Sequence, residues 1–290
     1  MNRSIAIFGK ILNERNAGLI GNIISILKAH SVEIYLHQQL YEFLQPSPAA
    51  IAQVSGTFSS HADMPQGVSY FFSVGGDGSF LESVNYVRNS GIPIVGINSG
   101  RLGFLATIAE QDLQQSIESL LAGNLPTEER TLLYVGSNMD LGDFPYALND
   151  IVIQKKSGLL TVHVWCNDEF LNSYWADGLI IGTPTGSSAY SMSVGGPIVA
   201  PDARNFIISP IAPHNLTVRP LVIPDNSVLK LKTESRSNSF SLSMDSRSYD
   251  CSSDIELEVK RAEYRIKTVK PFSFYATLRN KLLWGVDKRN

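Results

Sequence analysis

The chain has 290 residues, of which 43% are hydrophobic and 18% are charged, and its formal net charge is −3. This composition excludes a disordered chain and a fibrous repeat, and the weak negative charge excludes a general binder of nucleic acid. Because single hydrophobic cores stop growing at about 250–300 residues, the length predicts two domains.

The sequence gives little indication of a membrane-spanning segment, a disulfide or a metal site. The sequence contains no apolar run near the roughly 20 residues that cross a bilayer, and its first apolar stretch ends at Lys10, too soon for a signal peptide. We therefore expect a cytoplasmic protein with no membrane partner.

Cys166 and Cys251 are each expected to be a buried, reduced thiol. The five histidines lack metal-ligand spacing, so we expect no metal held by the protein alone.

The first half of the chain alternates short apolar runs with segments of helical period, a pattern typical of parallel strands joined by crossover helices. The predicted strands are 4–8, 32–36, 70–74 and 93–97, and the predicted helices include 19–27, 79–87 and 110–122. The pattern predicts a Rossmann-like α/β domain over residues 1–128.

From residue 129 the period becomes two, which predicts an all-β domain over residues 129–270. An Asn167-Asp168 turn between alternating segments predicts a hairpin of 161–166 with 170–174. A second hairpin is predicted to pair 255–259 with 264–268 across the polar residues 261–263. In the serine-rich stretch 235–253, apolar residues at 240, 242 and 244 predict a solvated strand. Residues 271–290 are predicted to form a tail that packs back on the first domain.

The first of three loops with candidate functional residues spans 73–79 and joins a predicted strand to a predicted helix. Gly75 and Gly76 allow a close approach of the backbone to an anion, and the following helix aims unpaired N–H groups at it. Asp77 is unusual beside a phosphate, and it fits a role as proton acceptor for an attacking hydroxyl or a contact to Mg²⁺. The alternative is that Asp77 only caps the helix that begins near Ser79.

A second loop, which begins at residue 96 at the end of another predicted strand, is expected to line one crevice together with the first. Arg101 in this loop can meet phosphate, and Phe104 can either stack on a base or belong to the core.

The third loop, residues 177–197, is rich in small hydroxyl residues. It offers many hydrogen-bond donors and acceptors and favours a binding wall. A serine nucleophile is disfavoured because Gly186-Ser187-Ser188-Ala189-Tyr190 lacks the second glycine of a nucleophile elbow.

Together with Asn149-Asp150, these three loops resemble the bacterial type of the NAD kinase (ATP-NAD kinase) family. The glycine-aspartate loop alone is shared with lipid and sugar kinases, whereas the segments 98–105 and 177–197 are specific to NAD kinases. The resemblance implies an N-terminal α/β domain, a C-terminal β domain, a homodimer or homotetramer, and a divalent metal, Mg²⁺ or Mn²⁺, used with ATP.

The resemblance also implies roles at matching positions. Asp77 would accept the proton of the adenosine-ribose 2′-hydroxyl of NAD. It implies further NAD contacts at Gly78, Asn149, Asp150, Asp177, Ser188, Ala189, Tyr190, Ser191, Met192 and Ser193. Loop chemistry assigns phosphate or ATP contacts to Gly75, Gly76, Arg101 and Phe104. The family commonly has Asn-Glu where this chain has Asn149-Asp150, which shortens the reach of that carboxylate.

The implied reaction transfers the γ-phosphoryl group of ATP to NAD and makes NADP. Because Asp77 lies in the first half and the 177–193 segment in the second, we expect both halves to contribute to one site. Two alternatives stay open: a lipid or sugar kinase that shares the glycine-aspartate loop, and a non-catalytic regulator that binds a dinucleotide.

Overall fold

The computed structural model describes residues 3–10, 13–45, 51–235, 240–251 and 254–285. The chain forms two compact units: an α/β unit of Met1–Glu129 with Ile266–Asn290, and a β unit of Arg130–Arg265. Each unit has its own hydrophobic core, as expected for a chain of this length. In the described ranges, no helix is long and apolar enough to cross a membrane.

The α/β unit begins with alternating strands and helices. The strands are β1 (Ser4–Gly9), β2 (Glu33–His37), β3 (Gly56–Phe58), β4 (Tyr70–Gly75) and β5 (Ile94–Asn98). The helices are α1 (Glu14–Ala29), α2 (Gln38–Leu44), α3 (Asp77–Val87) and α4 (Leu113–Leu121). The predicted helix over 110–122 differs in its first turn, because Glu110–Asp112 is a 3₁₀ helix.

The sheet of the α/β unit is parallel, with the order β3-β2-β1-β4-β5. Every residue of β1 and β5 is buried, which explains why both strands are continuous apolar runs in the sequence. The strand order reverses between β1 and β4. In such sheets ligands bind outside the carboxyl ends of the strands, where β4 and β5 continue into the two glycine-bearing loops.

In the residues that the structure describes, the β unit consists of antiparallel strands and a short α-helix, which follows a 3₁₀ helix at Thr185–Ser188. They are β6 (Thr127–Ser137), β7 (Tyr146–Ala147), β8 (Asp150–Lys155), β9 (Leu160–Cys166), β10 (Glu169–Ala176), β11 (Gly178–Gly182), α5 (Tyr190–Ser193), β12 (Asn205–Ile211), β13 (Leu221–Pro224), β14 (Leu229–Ser235), β15 (Phe240–Met244), β16 (Arg247–Cys251) and β17 (Glu256–Val269). One sheet has the order β13-β12-β11-β8-β15-β16, and a second set runs β10-β9-β14-β17. β6 and β17 each contribute residues to both units.

The first predicted hairpin is confirmed. β9 pairs antiparallel with β10, and the turn residues Asn167 and Asp168 have φ of 52° and 66°. Asparagine and aspartate tolerate this left-handed conformation better than most residues, which is why the pair marked the turn. The serine-rich stretch is also a strand where it is described, because β15 buries Phe240, Leu242 and Met244.

The second predicted hairpin is wrong, because residues 256–269 form the single strand β17. The buried residues Leu257 and Val259 have odd numbers, whereas the next buried residues, Ala262 and Ile266, have even numbers. The buried face of the strand therefore changes between Val259 and Ala262. A strand that shifts its inward face by one residue interrupts the alternation without turning back.

The tail returns to the α/β unit, as predicted. Residues 266–290 belong to that unit, and Lys270 N–H donates to the carbonyl of Pro126 at 2.9 Å. A last helix, α6 (Phe274–Leu282), is capped by Ser273, whose hydroxyl accepts from Ala276 N–H. The structure therefore confirms the predicted fold class.

Both cysteines are free thiols. Cys251 is buried as predicted, whereas Cys166 at the end of β9 is only half-buried.

Candidate active site

The glycine-aspartate loop leaves the carboxyl end of β4 in a conformation that requires glycine. Gly75 has φ of 148°, and a Cβ there would lie 2.2 Å from Ser79 Oγ. Helix α3 then begins at Asp77, with Gly76 as its N-cap. Gly75 is buried, whereas Gly78 is exposed at the first turn of α3.

The carboxylate of Asp77 does not cap α3, so the capping alternative is wrong. It is held instead by three backbone N–H groups of the second loop. Phe104 N–H donates to Oδ2 at 2.9 Å, and Leu105 and Ala106 N–H donate to Oδ1 at 2.9 and 3.0 Å. Lys281 of α6 places its ammonium nitrogen 3.3 Å from Oδ2. The first and second loops are therefore joined through one carboxylate.

The second loop is shaped for this approach. A Cβ at Gly103 would lie 2.0 Å from Asp77 Oδ1, so only glycine lets the carboxylate reach the loop backbone. Asn98 holds the loop from the other side, since its amide donates to the carbonyls of Arg101 and Ala106. Its side-chain oxygen accepts from Gly100 N–H at 2.5 Å.

The two other candidate residues of the second loop, Arg101 and Phe104, differ in exposure. Arg101 is exposed, whereas Phe104 is half-buried with its ring centroid 6.4 Å from that of Phe274. A cleft of about 690 Å³ lies beside this loop and is lined by Asn98, Gly100 and residues of α6. Its volume is in the range of small-molecule sites.

In the β unit, Asp245 holds the Asn149-Asp150 segment. Its carboxylate accepts from the N–H groups of Leu148, Asn149 and Asp150 at 2.7, 2.8 and 3.3 Å. Asp245 N–H in turn donates to the carbonyl of Asp150 at 3.1 Å. Arg247, at the start of β16, donates to the carbonyls of residues 144 and 146. Through these bonds, Asp245 and Arg247 hold the backbone of residues 144–150 in place.

The charges in this segment disfavour two ionised carboxylates. Burial raises the pKa of Asp150 to about 7, and the nearby Asp245 carboxylate adds to the rise. Burial also raises the pKa of Asp245, while the three N–H donors and Arg247 oppose that rise.

The third loop packs directly on Asn149. A Cβ at Gly186 would lie 2.0 Å from the Asn149 carbonyl oxygen, so glycine is required by close approach. Thr183 N–H donates to the same carbonyl at 2.9 Å, and the Thr183 hydroxyl donates to that of Leu148 at 2.6 Å. The structure therefore brings the 183–193 segment and Asn149-Asp150 together.

The hydroxyl wall has an inner and an outer part. Ser187 bonds to the backbone of Pro184 and Val199, and Ser191 is fully buried with its Oγ 2.8 Å from Ser209 Oγ. These hydroxyls stabilise the loop itself. The remaining predicted wall residues are half-buried or exposed: Ser188, Ala189, Tyr190, Met192 and Ser193.

Asp177 lies apart from this group. β11 runs antiparallel to β8, with Gly182 opposite Asp150, so Asp177 sits at the far end of β11. At about 3.3 Å per residue, that end is roughly 16 Å from Asn149-Asp150. The Asp177 carboxylate forms an ion pair with Lys155 at 2.5 Å. Its contact with a dinucleotide stays a prediction.

Asp245 and Lys281 were not found from the sequence. Asp245 lies 95 to 97 residues from its partners, and Lys281 lies 204 residues from Asp77. The apolar alternation on both sides of Asp245 indicates a turn, but it carries no information about what the carboxylate binds. In the part of the chain that the structure describes, no cluster of three or more acidic, histidine or cysteine side chains could hold a metal ion.

Comparison with known families gives two matches. The model of the ATP-NAD kinase N-terminal domain matches residues 5–125, and that of the ATP-NAD kinase C-terminal domain matches residues 148–271. Solved structures that share the fold include the following two. A yeast NADH kinase complexed with NADH has a TM-score of 0.86 at 22% identity, covering 99% of this chain and 89% of that one. An NAD kinase from Archaeoglobus fulgidus in complex with ATP has a TM-score of 0.73 at 21% identity, covering 97% and 98%.

Curated relatives are similar over nearly their full length. An NAD kinase of Flavobacterium psychrophilum is 41% identical over 99% of both chains, and one of Christiangramia forsetii is 42% identical over 99% of both. An NAD kinase of Bacteroides fragilis is 40% identical over 98% of this chain and 99% of its own. The family resemblance of the three loops is thereby confirmed, and this chain belongs to the NAD kinase family.

Proposed function

We propose that this chain transfers the γ-phosphoryl group of ATP to the 2′-hydroxyl of the adenosine ribose of NAD, which makes NADP. The observation that carries the proposal is the Asp77 carboxylate, held at the carboxyl end of the parallel sheet by the backbone of the second loop. This is a fixed proton acceptor on a loop suited to anions.

The proposed step uses the residues of the α/β unit as follows. The 2′-oxygen attacks the γ-phosphorus as its proton passes to the Asp77 carboxylate, and the bond to the β-phosphate oxygen breaks, so ADP leaves with the electron pair. Gly75, Gly76 and the first turn of α3 offer backbone N–H groups and the positive end of the helix to the phosphates. The exposed Arg101 can add a side-chain contact to ATP.

We assign NAD binding to Gly78, to Asn149-Asp150 and to the half-buried and exposed residues of the third loop. Tyr190 and Ser193 are exposed and Ser188 is half-buried with its hydroxyl donating to the carbonyl of Thr185, while the half-buried Ala189 and Met192 would provide apolar contact. Ser191 contributes through the loop that it stabilises, because its own hydroxyl is bonded to Ser209.

The divalent metal, Mg²⁺ or Mn²⁺, is proposed to arrive as part of the ATP complex. The Asp77 oxygens already accept three N–H groups and face Lys281, and the described part of the chain offers no acidic cluster. A site with this donor set fits a metal that is held mainly by the phosphates of the substrate.

One assay tests the proposal. The purified full-length chain is incubated with NAD, ATP and Mg²⁺, and the product is read with an NADP-specific dehydrogenase, which does not respond to NAD. We expect NADP only when ATP and the metal are both present. Binding of NAD without any NADP would support the non-catalytic regulator instead. Family membership removes the lipid or sugar kinase alternative.

A homodimer or homotetramer in the cytoplasm remains proposed from the resemblance. Light scattering on the purified chain tests the assembly, and a monomer at assay concentration would contradict it.

A further inference from the structure

The C-terminal helix α6 brings a lysine to the glycine-aspartate loop. Lys281, in the last turn of α6, places Nζ 3.3 Å from Asp77 Oδ2. The same ammonium lies 4.6 Å from the centroid of the Phe104 ring. Phe104 N–H donates to the same carboxylate oxygen, so Lys281 and the second loop both meet at Oδ2.

The contact is open on one side. The side chains of Lys281 and Asp77 are 30% and 29% exposed, so both remain accessible to a ligand. An ion pair with this exposure adds at most about 1 kcal/mol to stability. Stability therefore gives little reason for a lysine at this position.

The phosphoryl transfer proposed above gives a chemical reason. The transferred group carries negative charge toward the Asp77 carboxylate, and like charges at contact distance repel. P-loop enzymes place a lysine in the loop, where it contacts the phosphates. The segment Gly75-Gly76-Asp77-Gly78-Ser79 contains no basic residue. The ammonium on α6 supplies the missing positive charge from the other end of the chain.

Building on the proposed function, we propose that Lys281 is a catalytic residue that moves from Asp77 to the transferred phosphoryl group once ATP is bound. Lys281 stays protonated throughout. It stabilises the charge that develops on the phosphoryl oxygens and shields it from Asp77, while the proton of the 2′-hydroxyl still goes to Asp77. The cation–π contact with Phe104 holds the ammonium near the loop before ATP binds.

The test compares three variants of the full chain. Lys281→Gln removes the charge, Lys281→Arg keeps it, and Arg279→Gln is the matched control because it removes one charge from the same turn of α6. For each variant we measure kcat, the KM of ATP and of NAD, and thermal unfolding. Parental NADP formation is measured first, so that failure of the proposed function is seen separately.

We expect Lys281→Gln to lower kcat by about 10²–10³, the usual effect of losing one group that stabilises transition-state charge. The KM of NAD and the melting temperature should stay near parental values, and Arg279→Gln should stay near the parental kcat. Lys281→Arg should keep kcat within an order of magnitude of the parent, because the charge remains.

Three results would overturn the proposal. Parental kcat in Lys281→Gln means that the lysine is structural, and increased kcat means that it restrains the loop. If Lys281→Gln fails to fold, Lys281→Arg decides, since a folded but inactive arginine variant contradicts a role based on charge.

Discussion

At the scale of single residues, Asp150 and Asp245 form a pair whose charge depends on pH. The pKa of Asp150 rises from 3.8 to about 7 in the folded chain, chiefly through burial and then through the charge of Asp245. Between these pH values the folded chain binds more protons than the unfolded chain. The free energy of unfolding therefore falls as the pH rises from about 4 to 7.

Asp150→Asn should remove this dependence. We expect the variant to match the parent near pH 3, where Asp150 is protonated in both the folded and the unfolded chain, and to exceed it at pH 8 by an amount on the order of 3–4 kcal/mol. Denaturant unfolding at the two pH values measures the difference. Asp250→Asn is the control, because Asp250 is exposed on β16 of the same sheet. An Asp150→Asn variant no more stable than the parent at pH 8 would contradict the burial of a protonated carboxyl.

The sequence was informative about residues within a loop and uninformative about residues that meet across the chain. It identified Asp77 as the candidate proton acceptor because a carboxylate between glycines is unusual at an anion-binding loop. It did not distinguish capping from a contact to the second loop, since both place Asp77 at the start of a helix. Asp245 and Lys281 were missed because no local pattern reports a partner about 100 or 200 residues away.

At the scale of elements, Gly186 and Gly182 of the third loop differ in the space that an added Cβ would find. A Cβ at Gly186 would lie 2.0 Å from the carbonyl oxygen of Asn149, whereas a Cβ at Gly182 finds its nearest neighbours at 3.9 Å. The Asn149 carbonyl belongs to the backbone, so it cannot move aside as the end of a flexible side chain can. The loop can therefore stay on Asn149 only with glycine at position 186.

Gly186→Ala should displace Asn149 and cost about 1–3 kcal/mol of stability, as overpacking does. We also expect weaker NAD binding by calorimetry. Gly182→Ala should change both quantities little. Equal NAD affinity in the two variants would show that the position of Asn149 does not matter for the dinucleotide.

Strand β17 shows where periodicity misleads. The predictions of β9 and β15 were confirmed because these strands bury alternate residues along most of their length, whereas β10, which buries only Tyr174 and Ala176, was indicated by its turn and by its pairing with β9. β17 changes its buried face near Lys260-Arg261, where Arg261 pairs with Asp225 at 2.9 Å. A polar interruption followed by a change of parity looks the same in the sequence as a turn.

At the scale of the molecule, a weakly acidic chain carries out chemistry on two phosphate-bearing substrates. Its formal net charge of −3 gives no general attraction for phosphate. In the proposed mechanism the positive field is local, and backbone N–H groups, Lys281 and a metal brought by ATP would supply it. The sequence predicted the two-unit fold because helical and two-residue periods occupy separate halves of the chain.

The central claim is that Asp77 is the proton acceptor, and Asp77→Asn tests it most directly. Asp63→Asn is the matched control, because Asp63 also accepts backbone N–H groups, from Ser59 and Ser60, in another loop. NADP formation and NAD binding are measured for both variants. We predict that Asp77→Asn binds NAD like the parent but turns over about 10²–10⁴ times more slowly, while Asp63→Asn remains active. Near-parental turnover of folded Asp77→Asn would contradict the account.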